Sequence, residues 1–180
     1  MSRTSLTHPI FVAWVHKCEG GGRLGVTLAP GKKDPTPVSP GGAWDRDLGA
    51  DLDRLRQVER VDVLISLVED HELELLEIVE LLSEAPARGL ELVRFPIRDV
   101  DVPRDSAAAA GVVQSAVARA LAGASVVFHC RGGLGRAGTM AACALVQLGE
   151  KPEAAIARVR AERPGAIETR EQERFVRGFG

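Results

Sequence analysis

A glycine-rich turn caught between a β-branched apolar run and a helical pattern constrains this chain more than any other segment. Residues 129–139 read His-Cys-Arg-Gly-Gly-Leu-Gly-Arg-Ala-Gly-Thr, with Cys130 and Arg136 separated by five residues. Before them Ser125 to Phe128 is short and apolar; after them Gly138 to Leu148 has helical spacing. The order is strand, loop, helix. Gly132, Gly133 and Gly135 accept backbone conformations that other residues avoid. The N–H groups of Arg131 to Arg136 can therefore turn inward as a ring, at the positive end of a helix that begins near Arg136. Such a nest suits a tetrahedral anion. Arg136 adds a planar fork that grips two of its oxygens. Helix N-termini and adjacent cations favour the thiolate of a cysteine, so Cys130 is a candidate nucleophile. Arg131, Gly132, Gly133, Leu134 and Gly135 are candidate binding residues around it.

The rest of the chain reads as strands alternating with helices. Ile10 to Val15 and Leu24 to Leu28 read as a hairpin around Gly20, Gly21 and Gly22. Residues 30–42 form a Pro/Gly/Lys loop without hydrophobic period. Trp44 to Val58 has apolar residues at Leu48, Leu52, Leu55 and Val58, a helical spacing. Val61 to Val68 reads as a buried strand. Asp70 can cap a helix from about Glu72 to Leu82, ended by Ala85-Pro86 and Gly89. Leu90 to Ile97 is the next strand. Asp105 or Ser106 can cap an alanine-rich helix reaching Leu121, and Ser125 to His129 follows as a strand. Helices are expected at about Gly138–Leu148, Pro152–Arg163 and Thr169–Arg177. This alternation predicts an α/β fold, a single domain over residues 1–180 with a central, largely parallel sheet flanked by helices on both faces.

Composition removes other classes. A net charge of −2 and an aromatic fraction of 4% argue against nucleic-acid binding. No run approaches the length of a membrane span, and the N-terminus has no secretory pattern. Three cysteines without paired spacing do not form a disulfide framework; a reducing cytoplasm fits. Two competing motifs fail. Gly133-Leu-Gly135-Arg-Ala-Gly138 has the form of a dinucleotide fingerprint, but no second strand with an acidic residue follows it. Residues 25–33 hint at a nucleotide-binding loop, with five residues between the glycines and Lys33 where a metal-holding hydroxyl belongs. Lys32 and Lys33 read as solvated loop charges, with contact to an acidic substrate as the other reading.

His129-Cys130-x-x-Gly133-x-x-Arg136 resembles the signature of the cysteine-dependent protein phosphatases. The late motif and the missing W-P-D tripeptide resemble the dual-specificity branch. Ala141-Ala142-Cys143, Gly165-Ala166-Ile167 and Pro96-Ile97-Arg98-Asp99 are similar to segments of its cyclin-dependent-kinase-associated phosphatase subgroup. The resemblance spans about residues 9–178 and implies that fold. It implies hydrolysis of phosphotyrosine, phosphoserine or phosphothreonine through a phosphocysteine, with a phosphorylated protein as partner and no metal or other cofactor. Cys130 would be the nucleophile, Arg136 the phosphoryl clamp and Asp99 the general acid. Asp101 and Asp105 are local competitors for that last role. His129 and Gln172 would support the site from behind, Gln172 near where relatives place a water-orienting glutamine; an exposed helix residue is the plain alternative. Two other functions compete. One is a lipid or inositol phosphate phosphatase, since Arg131 adds charge beside the nucleophile, although Leu134 stands where such relatives keep a second lysine. The other is a phosphate-binding protein without turnover. Sulfur transfer fits Arg136 and Asp99 less well. The motif says nothing of oligomeric state.

One position departs from the pattern. Ala137 stands where the family keeps Ser or Thr, whose hydroxyl stabilises the departing thiolate in the second step. Rapid-quench kinetics should therefore show a burst of product followed by slower turnover. An Ala137→Ser variant should turn over faster; no burst, together with unchanged turnover in Ala137→Ser, would contradict this.

Overall fold

The structure, a computed structural model, describes residues 2–35 and 42–180. Five strands form one sheet: β1 (Ala13–Lys17), β2 (Arg23–Leu28), β5 (Val63–Ser66), β6 (Glu91–Arg94) and β7 (Ser125–Cys130), in the spatial order β1-β2-β7-β5-β6. β1 runs antiparallel to β2, as the hairpin pattern predicts; the other contacts are parallel. β3 (Lys33–Asp34) and β4 (Trp44–Asp45) form a separate two-residue ladder. Seven helices surround the sheet among the described residues: α1 (Leu48–Gln57), α2 (Asp70–Leu75), α3 (Leu81–Ala87), α4 (Ser106–Leu121), α5 (Gly135–Gln147), α6 (Pro152–Glu162) and α7 (Arg170–Arg177).

Every residue of the central strand β7 is buried, as a strand covered on both faces requires. Its side chains alternate between two cores. Val126 and Phe128 join the core under α4 to α7, whereas Val127 joins the core under α1, α2 and α3. β5 does the same, with Val63 and Ile65 on one face and Leu64 on the other.

The helix boundaries differ from the sequence reading in four places. Trp44 and Asp45 pair with Lys33 and Asp34, so α1 starts only at Leu48, capped by the Asp47 carboxylate accepting from Ala50 N at 2.7 Å. The expected loop 30–42 thus carries β3, and its residues 36–41 lie outside the described residues. The helix expected from Glu72 to Leu82 divides into α2 and α3, and Pro86 lies inside α3 rather than ending the helix before it. Asp70 does not cap α2. Glu69 is its N-cap, with Glu69 N donating to Glu72 Oε2 at 2.8 Å, while Asp70 pairs with Arg94 outside. Finally α5 begins at Gly135, so Arg136 lies in its first turn. For α4, Asp105 is the cap, accepting from Ala108 N at 2.9 Å.

Parallel strands bring their carboxyl ends to one edge, where open α/β sheets bind ligands. Register places Leu28 beside Cys130 and Ser66 beside His129. The segments after β2, β5, β6 and β7 therefore converge there. The first is anchored by a buried ion pair: Arg46 donates to both oxygens of Asp51 at 2.7 and 2.8 Å and to His8 O at 2.8 Å, and Asp51 also accepts from Gly31 N at 2.8 Å. Replacing Asp51 with Ala leaves the Arg46 charge buried without a counter-ion, at a cost of about 3–5 kcal/mol. The melting temperature should fall by about 10 °C; an unchanged melting temperature would show that Arg46 finds water or another partner.

Candidate active site

Cys130 ends β7 at the floor of a cleft of about 170 Å³. The cleft is also lined by Lys32, Asp34, Trp44, Asp99, Val100, Arg131, Gly132, Leu134, Arg136 and Glu168. Cys130, Arg136 and Asp99, read from the motif and the resemblance, thus share one cavity. Asp101 and Asp105 do not line it.

The loop between β7 and α5 is shaped by contacts to its carbonyls. Lys32 Nζ donates to Arg131 O at 3.1 Å. Arg163 donates to Gly132 O at 2.9 Å and to Gly133 O at 3.1 Å. Across a trans peptide the N–H points opposite to the C=O. Anchoring these carbonyls turns the next N–H groups, those of Gly132, Gly133 and Leu134, away from the anchors. These contacts constrain the loop N–H groups in addition to glycine freedom. Only Gly133 of the three loop glycines has a positive φ, 67°, and a Cβ there would strike the backbone of Thr27 and Leu28. Gly135 is needed for space instead, since a Cβ would run into Glu168 and Gln172.

Arg136 is almost fully buried. Its Nη1 donates to Glu72 Oε2 at 2.6 Å and to Ile97 O at 2.9 Å, and its Nη2 donates to Glu72 Oε1 at 2.8 Å. Nη2 also meets Asp99 Oδ1 at 2.8 Å. Burial alone would push the Glu72 carboxyl up, but the Arg136 guanidinium overcomes it and holds Glu72 below its usual range. Burial opposes the Arg136 charge in turn, and Glu72, Cys130 and Asp99 together raise its pKa. The guanidinium is therefore charged and fixed in plane. Glu72 was not legible as part of this site: in the sequence it is an acidic residue at the start of an expected helix.

Asp99 follows β6 by five residues and is half-exposed. Val100, with φ of 57°, turns the chain there, a left-handed conformation that a β-branched residue rarely adopts. Gln172 is fully buried, which removes the exposed-residue alternative. Its Oε1 accepts from Glu168 N at 2.8 Å and Thr169 N at 3.2 Å, and its Nε2 donates to Asp101 O at 3.2 Å. It ties the start of α7 to the loop that carries Asp99. Glu168 stands exposed at the mouth; partial desolvation, then the nearby Asp99, push its carboxyl up. His129 lies behind Cys130 with no exposure, and burial pushes its pKa down to about 3, so the ring is neutral. Ala137 is buried, and the Thr139 hydroxyl donates to Gly135 O at 2.7 Å. Thr139 is thus committed within the helix and does not replace the hydroxyl missing at Ala137.

Lys32 contradicts its reading as a solvated loop charge. It is 4% exposed, held by Arg131 O and by the Trp44 ring, 4.8 Å from its ammonium. Lys33 does face solvent, paired with Asp45 at 2.7 Å. Arg131 turns from the cleft floor to a bidentate pair with Asp34 at 3.0 and 3.1 Å. Cys143 packs in the core, where burial pushes its thiol up.

Comparison with known proteins shows the fold and the family. The structure is similar to kinase associated phosphatase bearing serine in place of its catalytic cysteine, at 25% identity and a TM-score of 0.81, over 94% of this chain and 93% of that one. It is also similar to the active form of Tk-PTP, at 26% identity and a TM-score of 0.68, over 92% of each chain. PTPMT1 in complex with PI(5)P shares the fold, at 23% identity and a TM-score of 0.69, over 91% of this chain and 92% of that one. The family description "Swiss Army Knife protein, DSP-PTPase phosphatase domain" matches residues 48–176, from the start of α1 into α7. That span is most of the chain, and the protein belongs to this family of cysteine-dependent dual-specificity phosphatases.

Proposed function

We propose that this protein dephosphorylates phosphorylated proteins by two displacements at Cys130. The observation that carries this reading is the clamp on Arg136: a buried guanidinium oriented by Glu72 and Ile97, lining the same cleft as a cysteine that ends a buried strand. Phosphate monoesters resist nucleophiles because their oxygens are negative. The clamp and the loop N–H groups counter that charge where it concentrates in the transition state. The Cys130 sulfur attacks phosphorus, the ester oxygen leaves with a proton from Asp99, and a phosphocysteine results. Water then attacks phosphorus, Asp99 takes its proton and the thiolate departs. An arriving dianion competes with Asp99 for Arg136 Nη2, which frees the carboxyl to stand beside the leaving oxygen. His129 and Gln172 act behind the site, one as neutral packing under Cys130, the other by holding the Asp99 loop to α7. This chemistry runs on a thiol, a guanidinium, a carboxyl and amides, and needs no metal.

The charges of the cleft favour a protein phosphomonoester over an inositol phosphate. Three cations line the cleft, Lys32, Arg131 and Arg136, and so do three carboxylates, Asp34, Asp99 and Glu168. Arg131, the residue that suggested a lipid or inositol phosphate substrate, is neutralised by Asp34. No helix among the described residues is long and apolar enough to cross a membrane. A nucleophilic thiol suits a reducing compartment, the cytoplasm first.

A phosphopeptide panel and soluble inositol phosphates, assayed side by side, test the substrate class; faster hydrolysis of the inositol phosphates would overturn it. Cys130→Ser should abolish hydrolysis of every substrate. Asp99→Asn should cost about 10²–10⁴-fold on alkyl phosphates, and a full rate there would move the acid to another group.

A further inference from the structure

Lys32 is a buried cation that the proposed mechanism does not use. It sits between β2 and β3 with its ammonium against the carbonyl of Arg131, the residue after the nucleophile, and it lines the cleft with Cys130. A lysine that is 4% exposed ordinarily has a carboxylate within bonding distance. Asp34, the carboxylate that acts on it, is instead engaged in a bidentate pair with Arg131. The Lys32 partners are a carbonyl and the face of Trp44. A buried, charged donor with spare N–H groups at the rim of an anion site is half of an interaction.

We infer that Lys32 is a substrate-binding residue of this phosphatase: its ammonium holds the phosphate loop open through Arg131 O and supplies a cation to the bound phosphoryl dianion. It acts in ground and transition state alike, so its loss should show in KM more than in kcat. This inference rests on the phosphatase reading above.

The titratable and charged groups that face Lys32 come from four segments: Asp34 of β3, Arg131 of the loop, Cys130 of β7 and Arg46 before α1. Burial is the largest influence and, with Arg131 and Arg46, outweighs Asp34 and Cys130, bringing Lys32 down to about 8. The sign follows. Below that pH the ammonium is charged and attracts the dianion; as pH rises through it, the attraction is lost and anion affinity falls. Arginine at the same place stays charged throughout.

Sulfate is a suitable probe because it stays a dianion over the range and needs no general acid. Its inhibition constant against an aryl phosphate should weaken several-fold between about pH 7 and about pH 9 in the native protein. In Lys32→Gln it should be about ten-fold weaker already at the lower pH and flat thereafter, with KM raised and kcat changed less. In Lys32→Arg, binding should stay tight and flat across the range. Native pH dependence retained in Lys32→Arg, or native affinity retained in Lys32→Gln, would overturn the inference and leave the phosphatase reading intact. Failure of sulfate to compete at all, or hydrolysis retained by Cys130→Ser, would overturn both.

Discussion

The ion pair between Arg136 and Glu72 is the constraint on which the rest of the site depends. Both residues are almost fully buried, and the carboxylate meets both terminal nitrogens of the guanidinium. Such a pair contributes little net stability, because desolvating two charges offsets much of their attraction. Its effect is directional. It fixes the plane of Arg136 and leaves Nη2 facing the cleft, where Asp99 now meets it. It also joins α2, which follows β5, to α5, which follows β7, across the carboxyl edge of the sheet.

The remaining anchors at that edge follow the same logic. Arg163, at the end of α6, holds two loop carbonyls; Lys32, after β2, holds a third; Ile97, after β6, holds Arg136. The segments after β2, β5 and β6, together with the end of α6, all give polar contacts to the loop that carries Cys130 or to the first turn of α5. The anion site is therefore assembled from four chain crossings rather than from the motif alone. The same arrangement explains why two glycines of the loop serve different ends. Gly133 permits a left-handed bend against β2, and Gly135 gives room to the start of α7.

What was legible in the sequence follows from the range of the interactions. The unit β7–loop–α5 is local, so strand pattern, glycine spacing and the Cys130–Arg136 interval identify it together. The strand alternation also sufficed for a largely parallel sheet with helices on both faces. Glu72, Asp34 and Arg163 were hidden, because they reach the loop through contacts 64, 97 and 30–31 residues apart. Locally each looks like a surface or capping charge. Lys32 was misread for the same reason: its neighbours in sequence are polar, but a buried ion pair between Arg46 and Asp51 folds its loop onto the sheet. The helical pattern of residues 44–58 ran too far because Trp44 and Asp45 are taken by a β ladder that no periodicity announces. The Asp99 assignment came from resemblance, and the observed contact with Arg136 gives it a physical setting.

The central claim is that the sulfur of Cys130 forms a bond to phosphorus. Acid quenching during turnover of an aryl phosphate, followed by peptide mass spectrometry, tests it most directly. The account predicts one added phosphoryl group on the peptide containing Cys130, absent when vanadate occupies the site. Turnover with no phosphoryl group on that cysteine, under conditions that preserve phosphocysteine, would contradict it.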